Sequence, residues 1–205
     1  MDSSQLVKAP ADSRTVRRKP ESLAKLKRAA RKLFVERGYH ATRPQDIARE
    51  AGLGHGTFYL HYPDKRACFL AFVDDAREEL DSYLRARRMP GASLENRIAS
   101  MLNAIYDYSE SHPGVLSAAM TDESVIDAEG VQADPLLVRW GRDWAEIVRE
   151  AAAEGEAVDI YNYDIVGQVI LGAIHQTGAE GARAGRTREQ VIDTLSRFIV
   201  RALKP

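Results

Sequence analysis

The 205-residue sequence predicts an all-α fold of about nine helices, a small three-helix head followed by a larger helical body. Three observations predict it. Apolar residues recur at spacings of three and four through most of the chain, the period of a half-buried helix. No alternating pattern longer than four residues suggests a strand. Glycine and proline punctuate the periodic stretches at Gly38, Gly52-Leu53-Gly54, Pro63, Met89-Pro90-Gly91 and Gly155.

Each element has its own grounds. Residues 1–19 lack helical periodicity and hold Pro10 and the basic run RTVRRK, so they are expected to form a flexible basic arm. From Pro20 a helix is expected, with Leu26, Ala30, Leu33 and Phe34 on one face and Gly38 as its stop. A second short helix spans 44–51, with Pro44 at a first position that tolerates proline and Ile47, Ala48 and Ala51 facing inward. A third spans 55–62, with Phe58, Tyr59 and Tyr62. Asp64 is a good cap for a long fourth helix to about Arg88, striped by Phe69, Phe72, Val73, Ala76, Leu80, Tyr83 and Leu84. Further helices are expected over 93–111, 113–120, 135–154, 159–180 and from Thr187 onward, with 122–133 as a loop. The organisation is an arm at 1–19, a head at 20–65 and a body at 66–205.

Composition narrows the function. Apolar residues at 44% and charged residues at 29% fit a folded chain with a core. No apolar run approaches the ~20 residues of a membrane span, and no apolar stretch follows the N-terminal arginines, so neither a membrane helix nor a secretory leader is expected. One cysteine excludes an intrachain disulfide and a cysteine-based zinc cage, which makes the cytoplasm the expected compartment. The five histidines show no metal-ligand spacing, so no metal is expected. Gly52-x-Gly54-x-Gly56 follows no strand and leads to no Gly-Lys-Ser/Thr, so no phosphate-binding cofactor loop is expected. No nucleophile–base pair stands out either, and the chain is not expected to be an enzyme. Residues 1–65 carry 14 lysines and arginines against 7 acids, a balance of +7; the remainder carries 15 against 23, a balance of −8. A basic end on an acidic body suits a polyanionic partner, while a solvated basic tail gives the same sums.

The three short helices and the glycine turn make a helix-turn-helix. The turn needs glycine, the crossing helices need Ala48 and Ala51 to be small, and the third helix must offer small or polar residues at its start, where base edges are read. Gly54, His55, Gly56 and Thr57 meet that need, and Tyr59, His61 and Lys65 can reach phosphates. Thr42, Arg43 and Gln45, around the start of the second helix, complete the expected DNA-binding set. The expected partner is double-stranded DNA.

The stretch AARKLFVERGYHATRPQDIAREAGLGHGTFYLHYPDKRACF resembles the DNA-binding segment of the TetR family of transcriptional regulators. Ala29, Ala30, Leu33 and Phe34, Gly38-Tyr39, Asp46-Ile47-Ala48, Ala51-Gly52, Gly56-Thr57-Phe58-Tyr59, His61-Tyr62 and Pro63-Asp64-Lys65 match in order and register. Two positions depart: Arg43-Pro44 stands where the family has a Ser or Thr cap, and Gly54 where it has Ser. The resemblance implies a ligand-responsive, sequence-specific regulator, a repressor, bound to a palindromic operator as a homodimer. It implies pairing through the last two helices, whose faces carry Gly167, Gly172, Ala173, Ile199 and Ala202; burial within one chain is the alternative. It also implies a pocket for a small, largely apolar effector in the body. Met101, Ile105, Tyr108, Met120, Trp140, Trp144 and His175 are the expected lining, with plain core as the alternative for the aromatics and an interior or interface histidine for His175. The segment 122–134 is either a cover for that pocket or a solvated loop, and Arg14 to Lys19 either lie in a minor groove or stay in solvent. A DNA-binding architectural protein without small-molecule control is the rival reading.

Overall fold

The computed structural model describes residues 13–120 and 136–204, apart from the side chains of 13–18, 136 and 179–182. Among the described residues there are nine helices and no strand. The chain forms two compact units, Met1–Phe72 and Val73–Pro205.

The first unit holds α1 (Ser13–Ala41), α2 (Pro44–Glu50), α3 (His55–Tyr59) and the start of α4 (Lys65–Arg85). Helix α1 begins at Ser13, seven residues before the expected start, so residues 13–19 belong to the helix rather than to an arm. Arginine and lysine are good helix formers, and Pro20 costs the backbone a single N–H while a strong apolar stripe extends the helix beyond it. The remainder of the expected arm, and the expected segment 122–134, lie outside the described residues. Gly38 breaks α1 with φ 75° and ψ 174°, a backbone that only glycine adopts without strain.

The core of this unit is aromatic. Phe34, fully buried, meets Phe69 edge-on at 5.1 Å and Phe72 at 5.7 Å. Cys68, Phe69 and Phe72 of α4 are buried here, at the end of the unit that closes with residue 72. Burial pushes the Cys68 thiol up to about 12.

The second unit contains the rest of α4, α5 (Leu94–Ser111), α6 (Val115–Met120), α7 (Leu136–Ala153), α8 (Tyr163–Arg183) and α9 (Arg188–Leu203). Helix α7 packs along α8, and α9 packs on both α5 and α8. The α7–α8 approach is close because glycine meets glycine: a Cβ on Gly167 would stand 2.0 Å from the carbonyl oxygen of Gly141. Gly167 and Ile199 are thus buried within the chain, whereas Gly172 and Ala202 of the same expected set are exposed. Helix α8 starts at Tyr163 rather than near Asp159, because Asn162 Oδ1 accepts the backbone N–H of Ile165 at 3.2 Å and so caps it. Thr187 and Gln190 form a capping box at the start of α9. Arg188 then ties α9 to Asp107 and Glu110 of α5, at 2.6 and 2.9 Å.

Candidate nucleic-acid interface and effector cavity

The turn between α2 and α3 follows from its backbone. Ala51 and Gly52 donate to the carbonyls of Ile47 and Arg49 at 2.9 and 3.0 Å, and Leu53 donates to Ala48 at 2.9 Å. Gly52, at φ 67°, reverses the chain. Gly54 then caps α3 with an extended backbone and no side chain. Ala48 and Phe58 are buried and fix the crossing of the two helices, which leaves Gly54, His55, Gly56 and Tyr59 exposed along the outer side of α3. His55 lies edge-on to Tyr59 at 5.2 Å, so the pair presents one aromatic surface. Thr57 is half-buried, and Arg43 and Gln45 at the start of α2 are exposed.

Three residues of the expected DNA-binding set have structural partners. Thr42 is fully buried: its hydroxyl donates to the carbonyl of Gly38 at 2.8 Å, with that of Leu33 at 3.2 Å, and so closes the end of α1. A hydroxyl beside a helix end satisfies the orphan carbonyls there, and that use competes with any contact outside the protein. His61 is half-buried with Nε2 2.7 Å from Ser22 Oγ, which couples α1 to the end of the helix-turn-helix. Lys65 donates to the Tyr39 carbonyl at 3.0 Å and sits 4.0 Å from the centroid of its ring. Its ammonium therefore supports the loop after Gly38.

Residues 26–72 match the family model of bacterial regulatory proteins, tetR family. The match covers the helix-turn-helix head, 47 of the 205 residues. The uncharacterized HTH-type transcriptional regulator YuxN of Bacillus subtilis is 26% identical over half of this chain and 35% of its own. The HTH-type transcriptional activator FasR of Mycolicibacterium smegmatis is 31% identical over 40% of this chain and 37% of its own. The chain thus spans little more than a third of the length of either relative. A TetR-like transcriptional regulator from Rhodococcus sp. RHA1 has the same fold, with a TM-score of 0.67 at 17% identity, covering 88% of this chain and 94% of that one.

The second unit contains a cavity of about 330 Å3 between α4, α5, α6, α7 and α8. Six of the seven expected lining residues border it: Met101, Ile105, Met120, Trp140, Trp144 and His175. The exception, Tyr108, is fully buried elsewhere. Its hydroxyl donates to Glu79 at 3.0 Å and its ring stacks on His112 at 4.3 Å. Tyr106, another aromatic on α5 that the sequence offers for such a pocket, borders the cavity with Leu80 and Leu84 of the α4 stripe, as does Asp143, which the sequence did not point to. No helix among the described residues is long and apolar enough to cross a membrane.

Asp143 is the one carboxylate in that wall among the described residues, and its pKa is held above the ordinary range by burial first and by the charge of Asp81 second. A raised carboxylate pKa means the charged form is costlier folded than unfolded. The group's contribution is therefore complete below the unfolded value, near 3.8, and is lost as pH rises through the folded one. Asp143→Asn is expected to raise the melting temperature at about pH 7, with the difference from wild type vanishing at about pH 3. An equal difference at both pH values would assign the effect to something other than this ionisation.

Proposed function

We propose that this chain is a transcriptional regulator, a repressor, that binds a palindromic operator as a homodimer and releases it when a small, largely apolar effector occupies the second unit. The observation that carries the reading is an outward-facing α3 in a TetR-family head, joined through one continuous helix, α4, to a unit with an apolar cavity. In a dimer, two such helices enter successive major grooves ~34 Å apart. Release is a population shift: the effector weakens DNA binding by as much as it prefers the conformation that binds DNA poorly.

The dimer is assigned to α8 and α9, where Ile165, Val169 and Phe198 expose large apolar side chains to solvent. Such a patch on paired helices suits a self-complementary contact. The rival reading, an architectural protein without effector control, would need no cavity. Here Trp140 and Trp144 border the space rather than fill it, which favours the effector.

Selection from a random duplex pool at two salt concentrations tests the proposal. An enriched palindrome with half-sites one turn apart supports it, and binding that merely fades with salt, without enrichment, refutes it. On the selected site, Thr57→Ala and Tyr59→Ala are each expected to weaken binding by about 1–3 kcal/mol while leaving the melting temperature within a few degrees. Wild-type binding by both variants would show that α3 does not read the site.

A further inference from the structure

We infer that Met101 of α5, together with Ile147 of α7, closes one end of the cavity in the second unit and so sets the longest apolar chain that it accepts. This rests on the reading of the cavity as the effector site.

A second cavity, of about 280 Å3, lies beside the first. Among the described residues, Met101 and Ile147 border both. The helices show how the two spaces are related. Along α5, Arg97, Met101 and Ile105 follow at four-residue steps and so share one face. Ile105 borders the first cavity, Arg97 the second, and Met101 both. Along α7, Trp144 borders the first, Ile147 both and Glu150 the second, at steps of three. The two cavities are therefore successive stretches of one trough between α5 and α7, interrupted by two side chains. Met101 is 6% exposed and Ile147 4%, so the interruption is packed rather than open.

The trough changes character at this point. Beyond Met101 the wall turns charged. The guanidinium of Arg97, a residue only 7% exposed, pairs with Glu154, and its Nε donates to the Ala92 carbonyl at 2.8 Å. Arg88, Met89 and Pro90, which also border the second cavity, are exposed. An apolar chain gains about fourfold in affinity for each methylene it buries. That gain stops where the chain meets Met101, because further growth must displace a packed side chain and crowd a buried ion pair. Met101 is the adjustable half of the barrier, unbranched and freely rotating, and Ile147 the stiff half. The size of the side chain at 101 is thus what fixes the limit.

The protein carries its own reporter. The chain has two tryptophans, and both border the first cavity, so intrinsic fluorescence follows its occupancy. Straight-chain primary alcohols from 1-octanol to 1-hexadecanol, uncharged and each kept below its solubility, are titrated into the full-length protein. Affinity for the wild type is expected to climb with chain length to a break and then to level off or fall. Met101→Ala is expected to move the break at least about two methylenes longer, and to bind the alcohols just beyond the wild-type break at least about tenfold tighter. Met101→Phe is expected to move the break to shorter chains, and it carries the test should alanine unfold the unit. Alcohols shorter than every break should bind all three proteins within about threefold of one another.

Opposed shifts mark a gauge, since a residue with a merely structural role would weaken every alcohol alike when replaced. Such uniform weakening, an unmoved break in the variants, or a wild-type affinity that climbs through 1-hexadecanol overturns the inference while leaving the cavity an effector site. No change in fluorescence or melting temperature with any alcohol overturns the effector-site reading itself, and the inference with it.

Discussion

Replacing Gly167 with alanine is expected to lower the stability of the chain by about 3 kcal/mol, read as a shift of the urea midpoint at unchanged slope. The added Cβ would stand 2.0 Å from the Gly141 carbonyl oxygen and 2.7 Å from the Ala145 backbone nitrogen. Neither is the end of a flexible side chain that can swing aside, so α7 and α8 must move apart along their whole contact. The control lies one and a half turns further along the same helix. A Cβ on Gly172 meets nothing within 4 Å, so Gly172→Ala should stabilise the monomer by about 0.5–1 kcal/mol through helix propensity. If Gly172→Ala instead weakens association, that face of α8 is closed by a second copy. If Gly167→Ala is harmless, the close approach of the two helices is not what holds this unit together.

Phe34→Ala should cost about 3–5 kcal/mol and abolish operator binding at physiological temperature. Phe34 is fully buried among three rings: Phe69 and Phe72, with Tyr39 stacked at 6.4 Å. Its removal leaves a cavity bordered by α1 and the start of α4, which together support the two short helices of the motif. Proteolysis or circular dichroism melting should show the loss of the N-terminal unit, which separates this variant from Tyr59→Ala, where the fold stays and the contact goes. A Phe34→Ala protein that melts like wild type would mean that the aromatic cluster is dispensable.

Most of the helical framework was legible because its signals are local. Leu26, Ala30, Leu33 and Phe34 set a period by themselves, and all are buried. Gly52 announces a reversal without reference to any partner. The side chains whose surroundings the sequence leaves open depend on what lies opposite them. Thr42 could cap a helix or face a phosphate, and only the position of the Gly38 carbonyl decides. Tyr106 and Tyr108 flank the same cavity-facing stripe of α5, and Tyr108 turns away because Glu79 of α4 offers its hydroxyl an acceptor. Gly167 carries the same signal as Gly172, smallness on a helix face, yet one is buried against α7 and the other exposed. The start of α1 was missed because Pro20 reads as a beginning when taken alone. Asp143 was missed because a lone acid on an amphipathic helix usually belongs to its solvated face.

The buried thiol of Cys68 makes the protein a clock for its own opening. With its pKa near 12, the folded chain holds roughly one thiolate in ten thousand at about pH 8, and the sulfur is also shielded by the surrounding core. Alkylating reagents therefore consume this cysteine chiefly when the N-terminal unit opens. The rate of that reaction counts the openings, and anything that clamps the unit shut, operator DNA included, slows it. The same silence frees the surface for labelling: a single cysteine introduced at an exposed position takes up a fluorophore alone, without first removing the native one.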